Sequence, residues 1–183
     1  MAQNDITLTD GIVTLRCFRN DDKYRMAELA NNEKIAVNLR DAFPHPYTLS
    51  DAEQFITMCL GLEPVQIFAI EYNNEYTGNI GLHKQSDVYS KSAELGYFIG
   101  EPYWNKGITT RAVKLACDYG FRELDIVRIF SGVFEYNLPS QRVLEKCGFV
   151  KEAVLKAAVC KNGKIYDEIR YAKVIARSCL SHQ

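Results

Sequence analysis

The chain has 183 residues, 47% of them hydrophobic, enough to bury a substantial core in one domain spanning 1–183. Lys and Arg total 22 against 23 Asp and Glu, a net charge of −1, which excludes a general attraction to nucleic acid or to an anionic membrane. Six scattered cysteines without a C-x-x-C pair, and three dispersed histidines, argue against a metal site and fit idle thiols in a reducing cytoplasm. The N-terminus carries no basic-then-apolar leader pattern, and no apolar run approaches the roughly 20 residues of a membrane span.

In chain order, Ile12 to Phe18 alternates as a first strand, and Asp21 opens a polar helix with Met26, Leu29 and Ala30 on one face. Residues 40 to 48 hold Pro44 and Pro46 and cannot be regular. Ser50 is the expected N-cap of the next helix, which carries Ala52, Phe55, Ile56, Cys59 and Leu60 at helical spacing. Ile67 to Tyr72 and Thr77 to His83 read as strands joined by the turn Asn73-Asn74-Glu75. A turn around 86 to 92 leads to the strand Ala93 to Gly100. A helix then runs from Gly107 to about Arg122, with Ile108, Ala112, Leu115, Ala116 and Tyr119 on one stripe. Ile126 to Phe134 is a strand, and Pro139 sits in the first turn of a short helix ending at Cys147-Gly148. Phe149 to Cys160 and Ile165 to Val174 form a closing hairpin, with 175 to 183 as a loose tail.

The order β-α-α-β-β-β-α-β-α-β-β predicts an α/β (α+β) fold, a mixed and mostly antiparallel sheet with helices on its faces. The turn Tyr103-Trp104-Asn105-Lys106-Gly107-Ile108-Thr109-Thr110 feeds a helix, whose first amides lack intrahelical partners and sit at the positive end of the macrodipole. Such a turn is an anion cradle. Gly107 removes a side chain where a phosphate would approach the backbone.

Downstream lies Asn137-Leu138-Pro139-Ser140-Gln141-Arg142-Val143-Leu144-Glu145-Lys146-Cys147-Gly148-Phe149, and upstream Glu94-Leu95-Gly96-Tyr97-Phe98-Ile99. Together with the cradle, Pro44-His45-Pro46-Tyr47-Thr48 and the late Gly163, Asp167 and Tyr171, these stretches resemble the GNAT superfamily of acyl-CoA N-acyltransferases, in its RimJ/RimL branch. The fixed positions of the family pattern N-x-x-S-x-x-(V/L)-x-E-K-x-G-F are all met, and the likeness runs from about Ile12 to Val174.

The resemblance implies an acetyl-CoA-dependent N-acetyltransferase that moves an acetyl group directly to a primary amine, a protein N-terminus or a small molecule, without a metal. It implies a sheet splayed between its fourth and fifth strands, with the pantetheine arm in the gap along Tyr97, Phe98 and Ile99. Trp104, Asn105, Lys106, Gly107, Ile108, Thr109 and Thr110 would surround the pyrophosphate, Asn137 the pantetheine amides, and Arg142 the adenosine phosphates. Thr109 departs from the usual Gly or Ala, and Arg111 from the usual Glu; Arg111 either strengthens phosphate binding or is a solvated helix residue. Leu144 stands where many relatives place a proton-donating tyrosine, which leaves Ser140, or water, to meet the departing sulfur.

The amine must be neutral to attack. A lysine-like amine is ionised some thousandfold at pH 7, a deficit of roughly 4 kcal/mol, whereas an α-amine loses only about one unit. Glu94 is the first candidate base, through water, with pairing to an arginine as its equal alternative. Tyr97 is a core residue or a catalytic one, and a main-chain N–H on its strand would serve the oxyanion. His83 ranks below Glu94 as a base. His45, Tyr47, His83, Asp167 and Tyr171 are the expected acceptor-side residues, with a structural role for Asp167 as its alternative. Cys147 reads as core packing. A catalytically idle acyl-CoA-binding protein is the competing function, and a homodimer is compatible with exposed sheet edges.

Overall fold

A computed structural model describes residues 6–175. Its elements are β1 Thr7–Thr9, β2 Val13–Arg16, α1 Asp22–Ala30, α2 Glu33–Ala36, α3 Leu49–Leu60, β3 Ile67–Tyr72, β4 Glu75–Lys84 and β5 Ser92–Ile99. They continue with α4 Ile108–Glu123, β6 Arg128–Phe134, α5 Leu138–Lys146, β7 Val150–Lys161 and β8 Lys164–Val174. The eight strands form one sheet in the order β1-β2-β3-β4-β5-β6-β8-β7. Every neighbouring pair is antiparallel except β5–β6, which is parallel. The predicted mixed sheet with helices on both faces is therefore the fold.

Local chemistry places the elements. Asn73 and Asn74 both take positive φ, at 53° and 61°, the twist a two-residue hairpin between β3 and β4 demands. Asn162 and Gly163 repeat the device between β7 and β8. Helix α3 begins two residues earlier than expected: Thr48, not Ser50, is its N-cap, in a reciprocal capping box with Asp51. Strand β1 and the one-turn α2 were not predicted. β1 hairpins onto β2 through Asp10, whose carboxylate accepts the main-chain N–H groups of Ile12 and Val13.

The even positions of β4 and the odd positions of β5 face α4, while the opposite face meets α1, α3 and the segment before α3. Phe68 meets Tyr119 of α4 edge to face, and Ile80, Leu82, Leu95, Ala112, Ala116 and Ile129 are buried around them. Arg16 ties β2, β3 and α1 together: it grips Asp22 with two nitrogens at 2.8 Å each and Glu71 through Nε at 2.5 Å. Removing one member of so buried a set leaves an unpaired charge, typically about 3–5 kcal/mol. Of the predicted tail, residues 176–183 lie outside the described part of the chain.

Candidate active site

Strands β5 and β6 pair only at Ser92–Arg128, Ala93–Ile129 and Glu94–Phe130. Beyond that point β5 stays with β4 as far as Ile99, and β6 stays with β8 as far as Phe134. The Gly100 N–H bonds to Thr77 on the β4 side, so the alternate main-chain groups of Leu95, Tyr97 and Ile99 point into the gap. Two of these carbonyls are satisfied within the protein. The Ser131 hydroxyl donates to Leu95 O at 3.0 Å where the strands part, and Trp104 Nε1 donates to Ile99 O at 2.8 Å. Between them Tyr97 has no strand partner on the β6 side among the described residues, and it lines the cleft. A cleft of about 1490 Å³ follows this fork through the sheet.

On one side the cleft is lined by Tyr97, Phe98, Ile99, Trp104, Asn105, Gly107, Ile108, Thr109 and Thr110, and by Asn137, Ser140 and Arg142 of the α5 end. Gly107 is the N-cap of α4 at φ 75°, and no side chain caps the helix there. A Cβ on Gly107 would meet nothing within 4 Å, so the first amides of α4 open on the cleft. Asn137 caps α5, its side-chain oxygen accepting the Ser140 N–H at 3.2 Å. The Tyr97 hydroxyl and Ser140 Oγ lie 2.8 Å apart. Burial holds the Tyr97 phenol well above the usual tyrosine range, against the opposing pull of the Ser140 hydrogen bond. Leu144 is fully buried and faces no part of the cleft.

Two basic residues of the cradle point elsewhere. Lys106 does not line the cleft; its ammonium lies over the Tyr103 ring at 5.5 Å. Arg111 is held 2.7 Å from Asp10 of the β1–β2 turn. The positive character of this end therefore comes from main-chain amides, with Arg142 and Lys146 of α5 along the wall.

The opposite side is built by β4, β5 and the segment after α2. His83 and Glu94 are register partners on β4 and β5. Arg40 donates to Glu94 Oε1; the carboxylate is only 20% exposed, the guanidinium 69%. Phe43 packs on Tyr47 at 4.9 Å and on Phe98 at 5.6 Å, making an aromatic wall. Tyr47 is buried in that wall, and burial pushes its phenol up to about 12. His83 is exposed overall, but partial desolvation by the cleft wall lowers its imidazole below the ordinary 6.5; Glu94 opposes the shift and Arg40 adds to it. At the far end Tyr136 donates to Val37 O at 2.5 Å, and Glu168 pairs with Arg170.

Three expected acceptor-side residues lie outside this lining. His45 is exposed on the loop. Asp167 pins the β7–β8 hairpin, accepting Lys156 Nζ at 2.7 Å and the Ala157 N–H at 2.9 Å, and these contacts lower its carboxyl. Tyr171 is buried against α5, its hydroxyl 2.9 Å from Glu145. Arg40, Phe43, Tyr136 and Glu168 line the cleft without having been singled out. Only the aromatic character of Phe43 beside two prolines hinted at it; the others meet the site through contacts of long sequence separation. No group of three or more metal-binding side chains occurs among the described residues, and no described helix is long and apolar enough to cross a membrane.

Known proteins resemble this chain in sequence and fold. Residues 13–150 match the acetyltransferase (GNAT) domain. The N-acetyltransferase YoaA of Bacillus subtilis, itself uncharacterized, is 32% identical over 174 residues, covering 94% of this chain and 92% of its own. The structure of the microcin C7 self-immunity acetyltransferase MccE in complex with acetyl-CoA and AMP superimposes with a TM-score of 0.77 at 28% identity, over 93% of this chain and all of that one (100%). RimL, the ribosomal L7/L12 α-N-protein acetyltransferase in complex with coenzyme A, shares the fold with a TM-score of 0.82 at 20% identity, over 93% of this chain and 98% of its own. A sheet forked beside an uncapped helix, together with these likenesses, makes the chain an acyltransferase that belongs to the GNAT family.

Proposed function

We propose that this chain, as one GNAT domain, transfers the acetyl group of acetyl-CoA directly to a primary amine within a ternary complex. The observation that carries the reading is the fork: β5 and β6 separate after Glu94–Phe130, beside a helix whose glycine N-cap leaves its amides uncapped. An extended pantetheine arm, rich in amides, adds to an open strand edge as a β-strand would, here along Tyr97. The diphosphate lies on the amides from Gly107 to Thr110, where helix dipole and unsatisfied N–H groups act together. Asn137 supplies its side-chain N–H₂ to the arm, because its oxygen already serves the Ser140 N–H. Arg142 faces the adenosine end.

Nucleophilic attack builds negative charge on the thioester oxygen, which a main-chain N–H of β5 in the gap stabilises. Collapse expels a thiolate. The Tyr97–Ser140 hydroxyl pair returns a proton to it, and a phenol held above its ordinary range keeps that proton through neutral pH. Cys147 takes no part as a nucleophile: it is buried, its thiol donates to Thr110 O at 3.4 Å, and burial raises its pKa.

The test is coenzyme-A thiol release, with mass detection of the acetylated product, across spermidine, an amino sugar, free amino acids and N-terminal peptides. Turnover of at least one amine with one thiol released per acetyl transferred is expected. Intact acetyl-CoA binding without turnover on any amine would replace this reading with that of an idle acyl-CoA-binding protein.

A further inference from the structure

We infer that His83, not Glu94, accepts the proton of the attacking amine; the inference rests on the acetyl-transfer reading above and assigns its missing base. The two residues face each other across β4 and β5 on the wall opposite the coenzyme side. They are not equivalent there. Glu94 is engaged by Arg40, so one of its oxygens is occupied and its charge is balanced. No hydrogen bond to the His83 ring occurs among the described residues, which leaves its nitrogens available.

Local sequence clears the space for the ring. Gly81 precedes His83 by two on β4, and Gly96 follows Glu94 by two on β5, so both lie on the same face as the imidazole. A Cβ on Gly81 would come within 3.3 Å of His83 Nε2, and one on Gly96 within 3.7 Å. The ring therefore lies across a bare patch of sheet, reaching along the cleft toward the fork where the thioester carbonyl would stand. Any larger residue at 81 would press on it. Gly81 also makes room for the Ile67 side chain, 3.1 Å from the same Cβ position, whereas the only side chain within 4 Å of a Cβ on Gly96 is His83.

The chemistry favours imidazole as well. As a class it is a stronger base than a carboxylate by about two units, and closer to the pH at which an amine must be relieved of its proton. The charged groups sharing the cleft with His83 are Glu94 from β5, Arg40 and Lys34 from the α2 segment, Asp51 from α3, Arg142 and Lys146 from α5 and Glu168 from β8. Partial desolvation by the cleft wall shifts the imidazole downward, toward its neutral, proton-accepting form, while the residue keeps access to solvent.

The step balances. The neutral amine nitrogen bonds to the thioester carbon; its surplus proton passes to His83; the carbon–sulfur bond breaks; the sulfur receives a proton from the Tyr97–Ser140 pair. Solvent water then carries a proton from His83 back to that pair.

The experiment follows kcat/KM against pH for the best amine from the panel above, in the parent protein, His83→Gln and Glu94→Gln. The parent should lose activity below an apparent pKa under 6.5. His83→Gln should fall at least 100-fold and lose that acidic limb, with acetyl-CoA affinity unchanged within twofold. Glu94→Gln should keep the limb. A His83→Gln enzyme that retains the limb, whether its rate is normal or reduced, overturns the assignment. Absence of turnover by the parent protein would instead sink the acetyl-transfer reading, and this inference with it.

Discussion

The Tyr97 hydroxyl stands 2.8 Å from Ser140 Oγ, joining the open edge of β5 to the first turn of α5. Leu144 is wholly buried, and in the proposed mechanism the two hydroxyls are the proton donors offered to the departing sulfur. Tyr97→Phe and Ser140→Ala should each lower kcat roughly 100-fold, at the low end of general-acid effects. Because the pair acts as a unit, the double variant should be no worse than about threefold below either single one. Steady-state rates alongside acetyl-CoA titrations check this; unchanged kcat in Tyr97→Phe removes the pair from the mechanism.

Gly107→Ala separates the helix end's conformation from its contacts. An alanine at φ 75° is strained by about 1–2 kcal/mol, yet its methyl enters open space. The variant should fold with a urea midpoint lowered accordingly and bind acetyl-CoA at least tenfold more weakly, since the methyl occupies the approach to the α4 amides. Calorimetric affinity equal to the parent's would place the diphosphate elsewhere.

Asn137→Ala should act twice. Loss of the α5 cap costs about 1 kcal/mol of stability, and loss of a buried hydrogen bond to the coenzyme weakens binding by roughly 1–2 kcal/mol. Denaturant unfolding with and without acetyl-CoA resolves the two, because the stabilisation by ligand shrinks as its affinity falls.

The capping box of α3 carries a pH signature. Hydrogen bonds from the Thr48 side chain, then its main chain, hold the Asp51 carboxyl below its ordinary 3.8. A depressed folded-state pKa contributes stability above the unfolded value and loses it as pH falls through the folded one. Between pH 5 and pH 3 the parent should therefore lose more stability than Asp51→Asn does. Thr48→Ala should cost about 1 kcal/mol at pH 7. Parallel acid profiles for parent and Asp51→Asn would contradict the box.

Period and turn chemistry made most of the fold legible. The double asparagine at 73–74, the glycine at 148 and the Asn162-Gly163 pair all sit at positive φ, where the residue types foretold turns. Strand β1 escaped notice because three residues are too few for alternation to register, although Asp10-Gly11 is itself a turn signal. Ser50 lost the cap to Thr48 because the reciprocal partner, Asp51, is three residues after Thr48 and adjacent to Ser50. The wall formed by the β5 edge and the starts of α4 and α5 comes from three short stretches of sequence, whose residues mostly line the cleft as expected. The opposite wall was not legible: Arg40 meets Glu94 54 residues away, and Tyr136 meets Val37 99 residues away. Tyr171 and Asp167 follow from the family resemblance, and packing against α5 and pinning of a hairpin occupy them.

A crystal structure with acetyl-CoA is the most direct measurement. The pantetheine arm should thread the opening beyond Glu94–Phe130, hydrogen-bonded to the main chain of Tyr97, its diphosphate on the N–H groups after Gly107 and its carbonyl carbon facing His83. Coenzyme lodged anywhere outside that opening, or β5 and β6 zipped together along their length when it binds, would contradict the account.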